Sequence, residues 1–343
     1  MTDFQAEKAV VRDFYRALSQ ATPDTVAAIL ARHTAPDWHW RGMHPFHEQH
    51  GADAVAAAFW APFLSAMTAV QRRPDIFMAG GNEIDGFGSV WVVSMGHLMA
   101  LFDRPFLGIR PHGRIVMLRY AEFHRVAEGR IVETALFCDI PQIMIQAGQN
   151  PFPPQTGAHL VQPGPATHDG LMYGPQDPAH GEATLAAIKA MLADLAKRTP
   201  DNLEDELRRT WHEDMIWWGP AGIGATYTVP RYVRQHAGPF RASLDRGYRF
   251  NGHLCRLAEG NFGGFFGWPN LTLTNAGGYM GMTASPHPAD MRVVDIYRAE
   301  AGKLAENWVF IDILHFLNMQ GLDVLARMAT LHETERARAA PAG

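Results

Sequence analysis

The second half of this chain repeats the first half. One constant offset pairs residues in the later part of each copy without a gap: Glu133 with Glu306, Phe137 with Phe310, Asp139 with Asp312, Gly129 with Gly302, and Gly148 with Gly321. An offset four residues longer pairs residues in the earlier part: Thr22 with Thr199, Asp37 with Asp214, Trp40 with Trp217, and Phe63 with Phe240. Solenoid units run about 20 to 50 residues, so a repeat this long predicts two copies of a whole domain.

The duplication sets the expected domain boundaries. We predict a first domain over residues 1–148, a linker over 149–181 and a second domain over 182–330. The linker is rich in Pro and Gly, which predicts an extended segment without a helix or a central strand. It also contains Phe152, Leu160, Met172 and Tyr173, so we expect it to lie along the domains.

Composition excludes several classes of function. The 343 residues are 47% hydrophobic, and the formal net charge is -5 with 30 basic and 35 acidic residues. No basic run is present, so a nucleic-acid partner is not expected. No apolar run approaches about 18 residues, so we expect no membrane partner. The two cysteines lie at non-equivalent positions in apolar stretches, which favours a reducing compartment, and we expect a cytoplasmic protein.

The order of elements predicts the fold class. Each copy begins with two helical patterns, for example Val10, Phe14 and Leu18 in the first copy. Strand patterns separated by Gly and Asn follow, with a hairpin turn at 127–129. Helices followed by an antiparallel meander predict an α+β fold in which helices cover one face of a bent sheet.

The last strands of each copy carry specific motifs. In the first copy these are Phe106-Leu107-Gly108-Ile109, Pro111-His112-Gly113-Arg114, Glu128-Gly129-Arg130, Glu133, Asp139 and Gln146-Ala147-Gly148. In the second copy these are Tyr279-Met280-Gly281-Met282, Gly302-Lys303, Glu306-Asn307-Trp308, Asp312 and Gln320-Gly321. The pattern resembles the SnoaL-like polyketide cyclases, a branch of the nuclear transport factor 2-like superfamily.

The resemblance implies a specific architecture and chemistry. It implies two cone-shaped α+β barrel domains, each a curved, mainly antiparallel sheet wrapped around a helical layer. The domains would pack as an intramolecular pseudo-dimer, and a further homodimer is left open. In the similar cyclases an Asp near the end of the sheet is the acid/base, which places that role on Asp139 and Asp312. No cofactor is implied.

Two acidic residues share one strand face in each copy. Side chains alternate along a strand, so Glu133, Phe137 and Asp139 point one way, as do Glu306, Trp308, Phe310 and Asp312. If that face lines the cavity, burial would raise the pKa of these carboxyls and suit them to abstract a proton next to a carbonyl. The alternative is that each Asp caps the helix that follows, and that Glu133 and Glu306 have structural hydrogen-bonding roles.

Histidines are concentrated in the first copy. His39, His44, His47 and His50 lie within WHWRGMHPFHEQH, and the second copy has no His at the aligned positions. We predict His44 and His47 as catalytic candidates because an imidazole polarises a carbonyl or accepts a proton near neutral pH. A metal site that includes Glu48 is a rival interpretation, but the spacing matches no helical zinc motif, and we predict no metal. Solvated loop histidines are the third interpretation.

Tryptophan and phenylalanine supply the candidate ligand walls. The predicted binding residues are Trp40, Trp217, Trp218, Trp308, Phe137, Phe310, Glu133 and Glu306. Aromatic walls suit a planar, apolar ligand, and no phosphate loop, nucleophile elbow or cofactor fingerprint is present. The sequence therefore predicts cofactor-independent acid/base chemistry of the cyclase or isomerase type on a small apolar carbonyl compound. A non-catalytic small-molecule binder or assembly protein on the same fold is the alternative.

Overall fold

The structure is a computed structural model that describes residues 3–197, 202–244 and 247–339. The first repeat contains five helices: α1 (Gln5–Leu18), α2 (Val26–His33), α3 (Ala52–Val55), α4 (Ala61–Ala66) and α5 (Ile140–Gln146), with a π turn (Ala56–Trp60) joining α3 and α4. Its strands are β1 (Thr34–Gly42), β2 (His47–His50), β3 (Met67–Gly81), β4 (Val90–Phe102), β5 (Ile115–Ala127) and β6 (Arg130–Cys138). Short 3-10 turns follow β3 (Glu83–Asp85) and β11 (Tyr279–Gly281).

The second repeat has the same order of elements. Its helices are α6 (Pro178–Lys197), α7 (Leu203–Arg208), α8 (Val229–Tyr232), α9 (Gly238–Leu244), α10 (Ile313–Met319) and α11 (Val324–Ala339), with a π turn (Val233–Ala237) joining α8 and α9. Its strands are β7 (Trp211–Trp218), β8 (Thr226–Tyr227), β9 (Arg249–Phe250), β10 (Cys255–Glu259), β11 (Phe262–Thr274), β12 (Pro288–Glu300) and β13 (Lys303–Ile311).

The two sheets have matching topologies. The first follows the order β2-β1-β6-β5-β4-β3, and the second follows β10-β11-β12-β13-β7-β8, with β9 pairing β11. In both, the first long strand pairs in parallel with the last strand, and the other pairs are antiparallel. The structure confirms the α+β class, because a curved, mainly antiparallel sheet carries helices on one face in each copy.

Helices cover the concave face of each sheet. In α1 the buried residues Val11, Phe14 and Leu18 recur at helical spacing and face the first sheet. In α6 the buried residues Thr184, Ile188 and Met191 do the same for the second sheet. The two convex faces pack against each other through buried apolar side chains, which include Met78, Phe123 and Phe137 from the first sheet and Phe266 and Trp308 from the second. Each sheet is therefore covered on both sides.

The linker lies along this junction between the sheets. Met172 is buried among the residues of both sheets, and its amide donates to the Phe77 carbonyl at 3.0 Å. Nearer the start of the linker, the carbonyl of Pro163 accepts a hydrogen bond from the Trp308 indole of the second sheet at 3.0 Å. The apolar residues expected to hold the linker differ in exposure, since Met172 is buried and Leu160 is exposed. The linker is thus held by hydrogen bonds of its backbone to both sheets and by the buried Met172 side chain.

Candidate active site

The shared face of β6 and β13 points away from the helices. Phe137, Trp308 and Phe310 are buried between the two sheets, and Trp218 packs against the same cluster. The alternate residues of β13, Asn307, Val309 and Ile311, line a cavity on the helical side. The expectation that the first set would face the cavity is therefore corrected. Both faces of the strand are buried, so period-two alternation groups the side chains without indicating which group faces the cavity.

Asp139 and Asp312 lie at the junction of the repeats. Asp139 accepts from the amide of Gln142 at 3.2 Å, which caps α5, and from the amide of Ala221 in the second repeat at 2.9 Å. Asp312 accepts from the amide of His315 at 3.2 Å, which caps α10, and from the amide of His44 in the first repeat at 3.0 Å. The helix-capping interpretation thus describes both side chains, and each also receives an amide from the other repeat.

Burial dominates the ionisation of these two groups. It raises the pKa of Asp312 to about 6, although the two amides and Arg292, 3.3 Å away, favour the charged form. Burial also raises the pKa of Asp139, although the amides of Ala221 and Gln142 and the charge of Arg119 favour its charged form. Neither residue lines the cavity described below. Their assignment as catalytic residues stays a prediction, and their geometry favours a role in joining the repeats.

Glu133 and Glu306 are ion-paired. Glu133 is 2.9 Å from Arg41 and 2.7 Å from Arg125, and these contacts lower its pKa against the effect of burial. Glu306 is 2.7 Å from Arg298 and accepts from the amide of Ala166 in the linker at 3.1 Å. The geometry favours the structural role considered for both residues.

The histidine-rich segment forms a polar surface beside Asp312. The rings of His44 and His47 meet edge to face at 5.3 Å, and burial lowers the pKa of both. His39 is 2.7 Å from Glu48 and stacks on His50 at 4.6 Å. In residues 3–197, 202–244 and 247–339, no three His, Cys, Asp or Glu side chains are arranged to hold a metal ion. None of these histidines lies in the cavity.

A cavity of about 380 Å³ lies between the concave face of the second sheet and its helices. Its lining is mostly apolar, which is typical of a site for a small organic molecule. Helix α6 contributes Met191 and Leu195, and the helical segment after β8 contributes Tyr232, His236 and Phe240. The sheet contributes Trp217, Phe265, Asp295, Tyr297 and Asn307. Trp217 is the residue predicted for ligand binding that lines this space.

Asp295 is a carboxylate that the sheet contributes to the cavity wall. On β12 it lies opposite Phe265 of β11 and Val309 of β13, so its strand neighbours are apolar. Asn307 donates to its carboxylate at 3.2 Å, and Tyr297 also interacts with it by hydrogen bonding. No ion pair involves Asp295 among the residues that the structure describes. Removal from bulk water raises its pKa to about 6.

The equivalent residue in the first repeat, Glu122, has its negative charge compensated by an arginine. Glu122 lies opposite Ser94 and Leu136, as Asp295 lies opposite Phe265 and Val309. Arg72 is 2.6 Å from Glu122, and this ion pair is the main reason that the pKa of Glu122 falls to about 2 despite burial. The same guanidinium covers the ring of Tyr15 at 3.9 Å. The acid of the first repeat is therefore held as a paired anion.

Strand register explains why Asp295 lacks such a cation. Arg72 pairs with Leu98, which pairs with Leu118. In the second repeat Phe250 pairs with Leu271, which pairs with Met291. Leu118 and Met291 correspond at the constant offset of the duplication. Phe250, which lines the cavity, therefore occupies the position of Arg72.

The space between helices and sheet also differs between the repeats. In the first, Trp40 packs on Phe46 and Phe59, and Phe59 stacks on Phe63 at 5.5 Å. A smaller hollow of about 340 Å³ remains near Tyr15 and Arg72, and Glu122 does not line it. In the second, the residue aligned with Phe59 is His236. Aromatic packing thus fills the part of the first repeat that is open in the second.

Two histidines in the cavity remain uncharged at neutral pH. His236 stacks on Trp217 at 3.9 Å, and His253 stacks on Phe265 at 3.9 Å. Burial lowers the pKa of each to about 3. Burial also raises the pKa values of Tyr232 and Tyr297, so both keep their protons. The cavity therefore offers neutral donors, and Asp295 is its carboxylate without an ion pair among the described residues, because Glu206 is paired with Arg241 and Asp194 with Lys197 and Arg209.

Sequence reasoning did not single out Asp295, His236 or Tyr297. Asp295 belongs to no motif and lies within the apolar run VVDIY. An acidic residue inside a predicted buried strand, repeated as Glu122 in the other copy, was the available signal.

Comparisons with known proteins agree with this architecture. The family model for the SnoaL-like domain matches residues 11–134, within the first repeat. Most of the first repeat therefore matches a SnoaL-like domain. The second repeat has the same strand order and connections. The chain accordingly carries two copies of one fold. A search of the curated proteins finds no match.

Solved structures resemble about half of the chain each. A protein of Jannaschia sp. CCS1 described as a SnoaL-like polyketide cyclase is 21% identical, with 44% of this chain and 95% of that chain covered and a TM-score of 0.35. A nuclear transport factor 2-like protein of Burkholderia xenovorans LB400 is 14% identical, with 41% and 97% covered and a TM-score of 0.32. An LEH-like epoxide hydrolase of M. tuberculosis is 11% identical, with 44% and 98% covered and a TM-score of 0.30.

No helix of the described ranges is long and apolar enough to span a membrane.

Proposed function

We propose that the cavity of the second repeat performs acid/base chemistry on a small apolar carbonyl compound of polyketide-like character, with Asp295 as the proton acceptor. One observation carries the proposal. Asp295 lies in an apolar cavity, and its pKa of about 6 lets it accept a proton at neutral pH and return it. The residues that the sequence analysis assigned to catalysis lie outside this cavity, so Asp139 and Asp312 are proposed to join the repeats.

The proposed reaction begins with the carboxylate of Asp295. It removes a proton from a carbon next to the ligand carbonyl, and the electron pair of the broken C–H bond moves to the carbonyl oxygen to form an enolate. If the ligand is a β,γ-unsaturated ketone, the enolate is conjugated and takes the proton back from Asp295 at the γ-carbon, which is an isomerisation. If the ligand has a second carbonyl, the enolate carbon attacks it and the resulting alkoxide takes the proton from Asp295, which closes a ring. Tyr297 donates to Asp295, so Tyr232, which keeps its proton, is the candidate donor to the enolate oxygen.

The charges of the cavity wall support an uncharged ligand. Arg241 is 2.8 Å from Glu206, and Arg256 is ion-paired with Glu83. These guanidinium groups are therefore already compensated. The ring stack of His236 on Trp217 offers a flat, neutral surface. Such walls suit a planar ring system better than an anion.

Deuterium exchange next to a carbonyl tests the proposal directly. Acetylnaphthalene, an apolar aryl ketone, would be incubated with the protein in deuterated buffer, and loss of its methyl proton signal would be followed by NMR. We expect the wild type to accelerate exchange and Asp295→Asn to lower the rate at least about a hundredfold, as loss of a general base does. Asp312→Asn is the matched control, because its side chain lies outside the cavity. Exchange by Asp295→Asn at the wild-type rate would overturn the proposal.

A non-catalytic binding protein is the second candidate. Asn307 and Tyr297 already interact with Asp295, so its carboxylate is partly compensated without any substrate. The same experiment separates the two functions. A protein that binds acetylnaphthalene in a calorimetric titration and leaves its methyl protons unexchanged is a binder.

A further inference from the structure

Two buried polar atoms in the wall of the same cavity have no hydrogen-bond partner within the described part of the chain. They are the indole Nε1 of Trp211, a donor, and Oε2 of Glu206, an acceptor. Both side chains line the cavity, and they are only 3% and 5% exposed, respectively. Buried polar groups are almost always paired, so each of these atoms needs an explanation.

The positions of the two side chains are fixed by the fold. Glu206 is on α7, and its other oxygen accepts from Arg241 at 2.8 Å, so the carboxylate cannot turn away from the cavity without losing that contact. Trp211 is the first residue of β7, and its ring lies 5.8 Å from that of Tyr297, which interacts with Asp295. The two unpaired atoms thus belong to the wall that holds the proposed base.

The first repeat shows that the fold does not require these groups. At the aligned positions it has Ile29 for Glu206, Thr34 for Trp211 and Leu64 for Arg241. Ile29 is part of the apolar core, and the Thr34 hydroxyl donates to the Leu30 carbonyl at 2.9 Å. Only the repeat with the open cavity carries an acid, an indole N–H and a guanidinium there. Such an exchange of apolar for polar wall groups indicates a ligand contact.

We propose that Glu206 and Trp211 form a hydroxyl-binding subsite, so that the ligand is an apolar carbonyl compound that also carries an alcohol or phenol group. A hydroxyl accepts from the Trp211 indole and donates to the Glu206 carboxylate, which satisfies both atoms. A second carbonyl could accept but not donate, and an ammonium group could donate but not accept. The inference rests on the proposed function only for the carbonyl part of the ligand.

Two probes that differ in one hydroxyl group test the subsite. Acetylnaphthol and acetylnaphthalene would be titrated into the full-length protein by calorimetry. We expect the wild type to bind acetylnaphthol about tenfold more tightly. Trp211→Phe keeps a ring and removes the donor, so it should erase most of this preference and leave the affinity for acetylnaphthalene within about twofold. Trp91→Phe, which changes an indole between the sheets, should leave the preference intact.

A second variant reverses the hydrogen-bonding character of the subsite. Glu206→Gln can accept from Arg241 through its amide oxygen and offers an N–H₂ donor to the cavity. It should favour the methyl ether of acetylnaphthol, which can only accept, over acetylnaphthol itself. Equal affinity of the wild type for the two original probes, or an equal loss for both in Trp211→Phe, would overturn the subsite. Failure of Asp295 as a base would be seen separately, in the exchange assay with acetylnaphthalene.

Discussion

Asp312 of the second repeat accepts a hydrogen bond from the backbone amide of His44 in the first repeat at 3.0 Å. Asp139 of the first repeat accepts the corresponding bond from Ala221 of the second at 2.9 Å. His44 and Ala221 occupy aligned positions, so the junction has an approximate twofold symmetry. Each of these Asp residues caps a helix of its own repeat and also binds an amide of the other repeat. This double role explains why an Asp follows the last strand of both copies without lining a cavity.

Asp312→Asn should change how stability depends on pH. In the folded protein the pKa of Asp312 is about 6, whereas the ordinary pKa of an aspartate is 3.8. This contribution to stability is fully present below about pH 4 and is lost as pH rises through about 6. The unfolding free energy of the wild type, relative to Asp312→Asn, should therefore fall by on the order of 2–3 kcal/mol across that window. Urea denaturation of both proteins at a series of pH values measures this difference in unfolding free energy. Plots of unfolding free energy against pH that run parallel for the two proteins would contradict the prediction.

The rate of the proposed reaction should follow the ionisation of Asp295. The base acts in its charged form, so the rate should rise about tenfold per pH unit below about 6 and level off above. The exchange assay with acetylnaphthalene from pH 4.5 to 8 gives this profile. A profile that is flat through pH 6 would mean that another group takes the proton.

Phe250→Arg should give Asp295 the cation that its counterpart has. Phe250 occupies the strand position of Arg72 and is 53% exposed, so the fold can accept an arginine there. We expect the pKa of Asp295 to fall by about 1–3 units and the rate profile to move to lower pH. Carbon-detected NMR of the Asp295 carboxyl measures the shift. Phe250→Met is the control and should leave the pKa near its original value.

Lys8→Met should destabilise the whole protein. Lys8 on α1 is 2.6 Å from Glu259 on β10, and the two side chains are only 1% and 6% exposed. Removal of the lysine leaves a buried carboxylate without its cation, which should lower the unfolding free energy by about 3–5 kcal/mol. Lys8→Met combined with Glu259→Gln should recover most of this loss. Lys197→Met removes an exposed pair with Asp194 and should change stability by less than about 1 kcal/mol.

Local sequence patterns were sufficient for the architecture. The turn at 127–129 and the alternation within RIVETALFC place β5 and β6, and the position of Asp139 after a strand identifies a helix cap. The orientation of β13 could not be obtained in this way. Asn307 and Trp308 are equally buried, one toward helices and the other toward a second sheet, and both environments select similar residues.

The candidate site depended on information that no single motif contains. Burial raises the pKa of Asp295, and no arginine offsets it, because Phe250, 45 positions earlier in the chain, occupies the place of Arg72 in the first copy. Alignment of the two copies pairs Asp295 with Glu122. The strand register is needed to show that Phe250 and Arg72 are equivalent. Contacts across strands, rather than neighbours in sequence, therefore decide where a chemically competent carboxyl arises.

The back-to-back arrangement of the two sheets has an evolutionary consequence. Two identical subunits joined in this way would have to carry every substitution on both sides of the axis. Covalent fusion removes that restriction, so a mutation such as arginine to phenylalanine at one strand position affects a single copy. One half can then specialise in chemistry while its sibling retains the packing that keeps the shared junction intact.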